Sequence, residues 1–316
     1  MNWNAALGDA SIPILVGPTA VGKTAVALAL AERLPIEIIS ADSRQIYRRL
    51  DIGTAKPSPR ELRRVKHHGV DLVAPGERYG AGRFAREAQG WLAAVAEAGK
   101  QPVIVGGTGL YIKALVDGLF LEPPLDPNRR RSLQTFVAGL GSTTLVRWAS
   151  RLDHRFGGGG RQRAARSIEV ALLSGRSLSY WQDHAKTEGA IDPWFVVLTV
   201  PRPVLHRRIA ARAEEMVRRG VIEEAAAVLA DGVPPDAPGL DGVGIREAVE
   251  YLQGTRSRAS VAEAITIATR QYAKRQETWF RHQLRGPVLT LDASGPPEQV
   301  AEAVALAWRS RERTFA

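Results

Sequence analysis

The sequence predicts an α/β protein in which helices flank a parallel sheet and a helical insertion domain interrupts the chain. Short apolar runs bounded by turn residues recur along the sequence, and helical patterns separate them. This alternation is typical of a parallel sheet covered on both faces. Between residues 121 and 190 the apolar runs stop while the helical patterns continue. We therefore assign residues 1–120 and 191–316 to the α/β core and residues 121–190 to the insertion.

Five apolar segments are the predicted strands, at residues 12–16, 36–40, 103–105, 195–200 and 287–291. Their length and their flanking turn signals suit buried strands. Between the second and third of them, residues 83–98 are predicted to form a helix that stops at Gly99. The apolar side chains of this helix share one face, namely Phe84, Ala88, Trp91, Leu92 and Val95.

The insertion is predicted to be helical and basic. Four glycines at 157–160 interrupt it, and residues 161–175 have the pattern of a helix with Ile168 and Leu172 facing inward and Gly175 as its cap. Residues 121–190 contain 11 Arg or Lys and 6 Asp or Glu, a net charge of +5, which is half of the +10 of the whole chain. The excess favours a nucleic-acid surface on the insertion.

The composition limits the class of protein. With 316 residues, 45% of them hydrophobic, the chain can form a large core. It contains no cysteine, which excludes a disulfide framework and a Cys-ligated zinc site. The first residues, MNWNAALGDASIP, lack the pattern of a secretion signal, and no apolar run reaches the roughly 18 residues that span a bilayer. We expect a cytoplasmic protein without a membrane segment.

A glycine-rich loop, GPTAVGKT at 17–24, follows the first predicted strand and precedes a helical pattern. Gly17 and Gly22 permit a tight loop whose backbone N–H groups surround phosphate oxygens. Lys23 supplies one positive charge, and Thr24 offers a hydroxyl to Mg²⁺. A glycine turn before a helix that binds nothing is the alternative interpretation. We infer a phosphate site, and the pattern alone leaves its ligand open, because most chains with this loop bind ATP or GTP.

Asp42 is a carboxylate that follows the predicted strand at 36–40, with only Ala41 between them. The strand at 103–105 ends in GGTGLY, and the strand at 195–200 ends in PRP. Because open α/β sheets bind ligands at the carboxyl ends of their strands, Asp42 is a candidate site residue. It begins the polar sequence DSRQ, whose donors and acceptors suit the edge of a heterocycle. An aspartate that only caps a helix or a turn is the alternative.

Several longer motifs occur in a characteristic order, and together they resemble one family. They are GPTAVGKT, ISADSRQIYRRLDIGTAKP, HHGVDLVAP, YGAGRF, PVIVGGTGLYIKAL, an LHRRI segment and AKRQETWFR. The chain from about residue 12 to 282 closely resembles the bacterial tRNA dimethylallyltransferases. The resemblance implies a P-loop NTPase-like fold. It also implies transfer of a dimethylallyl group from dimethylallyl diphosphate to the N6 amine of the adenosine adjacent to the anticodon of tRNA.

The resemblance implies that the loop holds a prenyl diphosphate rather than a nucleotide. Asp42 is similar in position to the family's general base, while Lys23, Thr24 and Mg²⁺ neutralise the leaving diphosphate. Arg208 and Arg212, four residues apart on one predicted helix face, are candidate diphosphate ligands, although paired surface arginines are ordinarily solvated. The loop residues expected to bind diphosphate are Gly17, Pro18, Thr19, Ala20, Val21, Gly22, Lys23 and Thr24.

Several segments are predicted to contact tRNA. The resemblance assigns this role to Asp42, Ser43, Arg44, Gln45, Thr108, Arg130, Gln162, Arg163 and Arg166. It also assigns it to Gly244 and Arg246 in the segment DGVGIRE, although this segment departs from the family pattern at Asp241 and Ile245. In the last part of the chain, Arg270, Lys274, Thr278 and Arg281 form a polar helical stripe beside Arg275 and Trp279. Lys274, Arg275, Trp279 and Arg281 are predicted RNA contacts. The alternatives are a turn role for Thr108, a core role for Trp279 and solvated faces for the basic clusters.

Two other functions fit part of the sequence. A P-loop kinase of a small molecule shares the fold and predicts phosphoryl transfer from ATP, but it leaves the basic insertion unexplained. A non-catalytic RNA-binding protein that senses a nucleotide explains the charge, but it has no task for Asp42. We expect tRNA and dimethylallyl diphosphate as the partners, Mg²⁺ as the cofactor, no membrane partner and a monomeric protein.

Overall fold

The computed structural model describes residues 11–120, 123–185 and 187–315. By their internal contacts these residues form two compact units, one running to Val116 and resuming at Ala190, the other spanning Asp117–Gly189. The first unit is an α/β core and the second is helical, beginning at residue 117 rather than 121. None of the helices in these ranges combines the length and the apolar composition that crossing a membrane requires.

The core contains one sheet of six parallel strands. They are β1 (Ile12–Val16), β2 (Ile36–Ala41), β3 (His67–His68), β4 (Gln101–Gly106), β5 (Pro193–Thr199) and β6 (Val288–Asp292). Their order in the sheet is β3-β2-β4-β1-β5-β6. The central strand β1 pairs Ile14 with Ile104 on one side and with Phe195 on the other. The carboxyl ends of all six strands therefore lie at one edge, which is where the predicted site residues follow β1, β2 and β4.

The five predicted strands are confirmed, and β3 was missed. It consists of two histidines that pair with Ile38 and Ile39 of β2 at the rim of the sheet. Two polar residues produce neither an apolar run nor an alternating pattern, so the sequence contains no strand signal there. The pairing places the side chain of His68 against the buried carboxylate of Glu37.

Helices cover both faces of the sheet. Those of the core are α1 (Lys23–Ala31), α2 (Pro59–Arg64), α3 (Ala81–Glu97), α4 (Gly109–Val116), α9 (Arg202–Arg218), α10 (Val221–Ala230), α11 (Ile245–Leu252), α12 (Val261–Gln283) and α13 (Pro297–Phe315). The predicted helix at 83–98 is confirmed as α3, and four of its five apolar residues are buried. The fifth, Trp91, is half-buried and stacks on His68 with ring centroids 6.2 Å apart.

Helices α1 and α13 pack against each other on one side of the sheet. Trp194 of β5 and Trp308 of α13 lie within this apolar cluster, with ring centroids 6.4 Å apart. A second cluster joins the segment after β2 to helices α9 to α12, through residues such as Ile46, Met216 and Ile245. Burial of these side chains fixes the helices that surround the carboxyl edge of the sheet.

The second unit contains the helices α5 (Pro127–Ala138), α6 (Ser142–Leu152), α7 (Arg161–Ser174) and α8 (Leu178–His184). The predicted helix at 161–175 is confirmed, with Ile168 fully buried and Gly175 as a left-handed cap. The inward position of Leu172 was wrong, because its side chain is 44% exposed. The buried stripe of α7 runs through Ala164, Ile168 and Ala171, so the step after Ile168 is three residues and not four.

Glu37 is a buried carboxylate beneath the sheet rim. It is 2% exposed, its Oε2 accepts a hydrogen bond from His68 Nε2 at 2.7 Å, and its Oε1 accepts one from Lys100 Nζ at 3.0 Å. Burial alone would raise the pKa of Glu37, but these hydrogen bonds and the charges of Lys66 and Lys100 outweigh it and lower the pKa. The ionised carboxylate therefore stabilises the folded state.

We expect Glu37→Gln to lower the free energy of unfolding by about 1 to 3 kcal/mol at about pH 7, because it removes a buried charged acceptor of the hydrogen bonds from His68 and Lys100. A carboxyl group with a depressed pKa loses its stabilising effect as pH falls through the folded-state pKa, so the difference from the parent protein should shrink below about pH 4. Urea unfolding at both pH values measures this. Glu302→Gln, at an exposed position of α13, is the control, and equal losses in the two variants would contradict the prediction.

Candidate functional site

The loop between β1 and α1 has the geometry that its glycines predict. Gly17 has φ 149°, and a Cβ atom there would lie 2.6 Å from the carbonyl oxygen of Leu198 at the end of β5. Only glycine permits this approach, so the loop begins in contact with the neighbouring strand. Gly22, with φ 112°, is the N-terminal cap of α1. The positive end of the α1 dipole therefore points into the space that the loop encloses.

Lys23 lies across this loop. Its Nζ donates hydrogen bonds to the carbonyl oxygens of Gly17 at 2.8 Å and Pro18 at 3.0 Å. Burial lowers the pKa of Lys23 from 10.5 to about 8, while the Asp42 carboxylate acts to raise it and Arg212 to lower it. A bound anion would offset the cost of burying the ammonium group and favour its charged form.

Two cavities meet at the carboxyl edge of the sheet. The P-loop cavity, of about 330 Å³, is lined by Thr19, Ala20, Gly22, Lys23 and Thr24 of the loop and by side chains that include Ser40, Asp42, Gln45, Thr54 and Arg212. The α12 cavity, of about 310 Å³, is lined by residues of α9 and α12 together with Ser43, Arg44, Asp241 and Arg246. The residues common to both are Thr19, Asp42, Thr54 and Arg212.

Asp42 and Arg212 face each other where the cavities meet. Asp42 Oδ1 accepts a hydrogen bond from the Arg44 N–H at 2.8 Å, so the turn interpretation of Asp42 is correct for one oxygen. Arg212 Nη1 donates to Thr19 Oγ1 at 3.3 Å. Burial lowers the pKa of Arg212, and the Asp42 charge opposes this effect. The Asp42 carboxylate thus interacts electrostatically with two half-buried cations, Lys23 and Arg212, all three of which line the P-loop cavity.

The structure separates the two arginines that the helical spacing groups together. Arg208 Nη1 donates to the carbonyl oxygen of Val21 at 2.9 Å, and Nη2 donates to that of Ala293 at 3.0 Å. Its guanidinium joins the back of the loop to the end of β6 and does not line either cavity. Arg212, one turn later, lines both. Sequence spacing places the arginines on one face, but only the surrounding carbonyl groups distinguish their positions.

A family model described as IPP transferase matches residues 45–283 of the chain, which is more than half of its length. The chain belongs to this family. A second family model, described as isopentenyl transferase, matches residues 10–71. The resemblance and the α/β fold class inferred from the sequence are thereby confirmed, and the two matches together include the P-loop, Asp42 and helices α9 to α12.

Relatives of known name are similar over most of their length. The tRNA dimethylallyltransferase of Syntrophobacter fumaroxidans is 41% identical over 278 residues, covering 86% of this chain and 81% of the relative. That of Halorhodospira halophila is 43% identical over 290 residues, covering 90% and 94%. The crystal structure of the tRNA isopentenylpyrophosphate transferase of Bacillus halodurans has a TM-score of 0.69 at 30% identity, covering 96% of this chain and 99% of that one.

Thr108, a predicted RNA contact, connects two loops in this member of the IPP transferase family. Its Oγ1 accepts a hydrogen bond from the Ser43 N–H at 2.9 Å, and its own N–H donates to the Ala41 carbonyl at 3.1 Å. Gln45 accepts from Ser40 Oγ at 3.0 Å and donates to the Ala55 carbonyl at 3.3 Å. These bonds hold the DSRQ segment against the ends of β2 and β4, which keeps Asp42 in place.

Gln276 is a site residue that the sequence analysis missed. Its buried side chain accepts from the Thr19 N–H at 2.8 Å and donates to the Gly107 carbonyl at 2.9 Å. One amide of α12 therefore connects the P-loop to the loop after β4. Ala273, Gln276 and Phe280 are the buried residues at steps of three and four in this part of α12, and that spacing is the signal that would have found the inward amide.

Glu224 is a second residue that the sequence analysis missed. Its Oε2 accepts from the N–H groups of Asp51 at 2.6 Å and Ile52 at 2.7 Å, and its Oε1 accepts from that of Gly53 at 2.9 Å. This carboxylate holds the chain segment that leads to Thr54, which lines both cavities. No sequence signal identifies Glu224, because the backbone N–H groups that donate to its carboxylate lie about 170 residues earlier in the chain.

The predicted tRNA residues of the core have different surroundings. Arg246 and Arg275 line the α12 cavity, and Arg246 Nη2 pairs with Glu247 Oε1 at 3.0 Å. Gly244 has φ 99° and is the N-terminal cap of α11. Of the positions that depart from the family pattern, Ile245 is fully buried, while Asp241 lines the cavity with its carboxylate 3.9 Å from Arg246.

In the helical unit, two of the predicted contacts are already paired. Arg130 Nη2 lies 3.0 Å from Glu169 Oε1, and Arg166 forms an ion pair with the same oxygen. Gln162 and Arg163, in the first turn of α7, are exposed. Within this unit the structure therefore presents Gln162 and Arg163 to solvent, while Arg130 and Arg166 also contribute to the fold.

The polar stripe of α12 is confirmed, since Arg270, Lys274, Thr278 and Arg281 are all exposed. Trp279 is half-buried, and a Cβ atom added to Gly109 would lie 2.4 Å from its ring. The indole therefore packs on the start of α4, which is consistent with the core interpretation for at least one of its faces.

Proposed function

We propose that this protein transfers a dimethylallyl group from dimethylallyl diphosphate to the exocyclic amine of the adenosine adjacent to the anticodon of tRNA. One observation carries the proposal: the Asp42 carboxylate lies where a cavity built on a P-loop meets a second cavity. Two substrates that enter by separate openings can react at such a point. The relatives from Syntrophobacter fumaroxidans and Halorhodospira halophila, both named tRNA dimethylallyltransferase, support this choice of substrates.

The P-loop cavity suits the diphosphate. Lys23, Arg212 and the amino end of α1 surround it, and together they supply the positive charge that the leaving group needs. As the allylic C–O bond breaks, negative charge accumulates on the diphosphate, and these groups then interact more strongly than with the intact donor. That difference is what accelerates the reaction. Arg208 supports the loop from behind in this proposal.

The acceptor adenine occupies the α12 cavity in this proposal. Its amine attacks the allylic carbon, a C–N bond forms as the C–O bond breaks, and the amine loses one proton. Asp42 Oδ1 is engaged by the Arg44 N–H, so Oδ2 takes that proton. A base in an RNA loop must leave its stack to reach a cavity of this kind, and Arg246 and Arg275 line the space through which it would pass.

Mg²⁺ suits the residues of the P-loop cavity. The hydroxyl of Thr24 and the carboxylate of Asp42 line the same space, and Mg²⁺ usually takes one or two protein oxygens together with phosphate oxygens and water. We propose that Thr24 holds the ion, which neutralises charge on the diphosphate when bound. We further propose that the protein acts as a monomer in the cytoplasm, which is consistent with the absence of cysteine from its sequence.

Labelled substrates test the function directly. The protein is incubated with Mg²⁺, unmodified tRNA and either dimethylallyl diphosphate labelled in the prenyl group or ATP labelled in the terminal phosphate. Prenyl label in the RNA is the expected result. Phosphate label transferred to a small molecule would instead indicate a kinase. RNA binding with no transfer of either label would indicate the non-catalytic alternative, and both of these outcomes contradict the proposal.

Exposed arginines of both units should contribute to tRNA binding. We expect the double variant Arg163→Ala, Arg281→Ala to bind tRNA more weakly and to lower the slope of log K against log salt by about 1.4 to 1.8, because about two phosphate contacts are lost. Affinity for dimethylallyl diphosphate should not change. Arg163 is a cleaner choice than Arg166, whose removal would also break the pair with Glu169. An unchanged slope would show that both side chains are merely exposed.

A further inference from the structure

A third cavity, of about 240 Å³, lies between α9 and α12, and we call it the α9–α12 groove. Four basic side chains line it: Arg202 and His206 from α9, and Arg270 and Lys274 from α12. Glu277 is the one carboxylate among its lining residues. The two helices are held together beneath the groove by Leu205, Ile209 and Ala273, which form a small buried cluster.

The four basic side chains have no protein partner in the part of the chain that the structure describes. Arg202, Arg270 and Lys274 are exposed and His206 is half-buried, and neither a hydrogen bond nor an ion pair engages any of these four side chains. Some arginines elsewhere on α9 are engaged, as Arg212 is with Thr19 and Arg218 with Glu215, and neither of these two lines the groove. Three permanent positive charges and an imidazole therefore converge on one space with a single acidic group beside them.

The groove adjoins the site of reaction. Gln271 lines both the groove and the α12 cavity, which also contains Asp42 and Arg212. Only two residues separate the end of β5 from the start of α9, so the first turn of α9 lies at the carboxyl edge of the sheet, as Asp42 does. A polymer with one unit in the α12 cavity would place its adjacent backbone over Gln271 and into the groove.

We propose that the α9–α12 groove binds backbone phosphates of the RNA next to the extruded nucleotide. The proposal rests on the proposed function, because it takes the α12 cavity as the position of the acceptor base. The guanidinium groups of Arg202 and Arg270 offer planar pairs of donors that match phosphate oxygens, and Lys274 adds a point charge. Contacts of this kind position RNA without reading its sequence.

The test compares two double variants that remove the same charge from the same region. The groove variant, Arg202→Ala, Arg270→Ala, removes two positive charges from the groove. The control variant, Arg207→Ala, Arg219→Ala, removes two exposed arginines, one in α9 and one just after it, that lie outside the groove and pair with none of the residues that the structure describes. Binding of an anticodon stem-loop is measured by fluorescence anisotropy over a range of salt. We expect the groove variant to bind about tenfold or more weakly at about 0.1 M salt and to lower the slope by about 1.4, the value for two phosphates of a single strand.

Affinity for dimethylallyl diphosphate, measured on the same samples, should stay equal to that of the parent protein and serves as a check that the core is folded. Equal loss of RNA affinity in the two double variants would overturn the proposal, since non-specific electrostatic attraction between the protein and RNA would then explain the loss. Equal slopes in the groove variant and the parent protein would overturn it as well. If the parent protein transfers no prenyl group but the groove variant alone loses slope, the proposed function fails and the groove remains an RNA contact.

Discussion

We expect Asp42→Asn to bind dimethylallyl diphosphate with an affinity within a few-fold of the parent protein and to lose about 10² to 10⁴ in the rate of prenyl transfer. The asparagine oxygen can still accept the Arg44 N–H, so the turn should keep its shape. An amide cannot take a proton from the adenine amine at neutral pH. The loss should therefore appear in the chemical step, with little change in the binding of either substrate.

Single-turnover transfer, with enzyme in excess over RNA, measures that step. Because the Asp42 charge acts to raise the pKa of Lys23, the comparison is best made at about pH 6.5, where a pKa near 8 or somewhat lower still leaves Lys23 largely protonated. Asp236→Asn, at an exposed position that lines neither cavity, is the matched control. Near-normal single-turnover transfer by the Asp42 variant would rule out its role as the base.

Lys23→Met should lower the transfer rate by about 10² to 10³ and weaken binding of the diphosphate, because it removes one preorganised positive donor. Methionine has a similar length, so the loop is not required to collapse. Burial disfavours the charged form of Lys23 in the folded protein, as its lowered pKa indicates. We therefore expect the free energy of unfolding to change by no more than about 1 kcal/mol.

Thermal unfolding and single-turnover transfer on the same preparation separate these effects. Lys23→Arg keeps the charge, but its planar fork does not reproduce the two contacts with the Gly17 and Pro18 carbonyls. Full recovery in the arginine variant would show that charge alone suffices. A methionine variant that transfers the prenyl group at the parental rate would refute the assignment of Lys23 to the leaving group.

The residues that could be predicted from the sequence lie in continuous local patterns. The strand, loop and helix that form the P-loop are adjacent in the chain, and Asp42 directly follows a buried strand, so both were found. The positions that were missed depend on partners far away in sequence. Gln276 and Glu224 form hydrogen bonds with backbone groups about 170 to 257 residues distant. Helical spacing marks Gln276 as inward-facing, but no local pattern identifies these distant partners.

Helical spacing alone was also insufficient. It placed Arg208 and Arg212 on one face, yet the carbonyl groups near Arg208 direct that side chain behind the loop. It placed Leu172 inward, yet the buried stripe of α7 passes through Ala171. In both cases the periodicity identifies the face of the helix, and the neighbouring elements determine which residue of that face lines the cavity or becomes buried.

The two hydrogen bonds of Gln276 have a consequence for how kinetic data on this protein are interpreted. The Gln276 amide accepts a hydrogen bond from the Thr19 N–H of the P-loop, and it belongs to α12, which also carries Lys274 and Arg275. A substitution of Gln276 would therefore weaken the proposed binding of both substrates, because it removes the connection between the P-loop and α12. A paired rise in both Michaelis constants would then reflect the loss of one mechanical connection and not two separate binding defects.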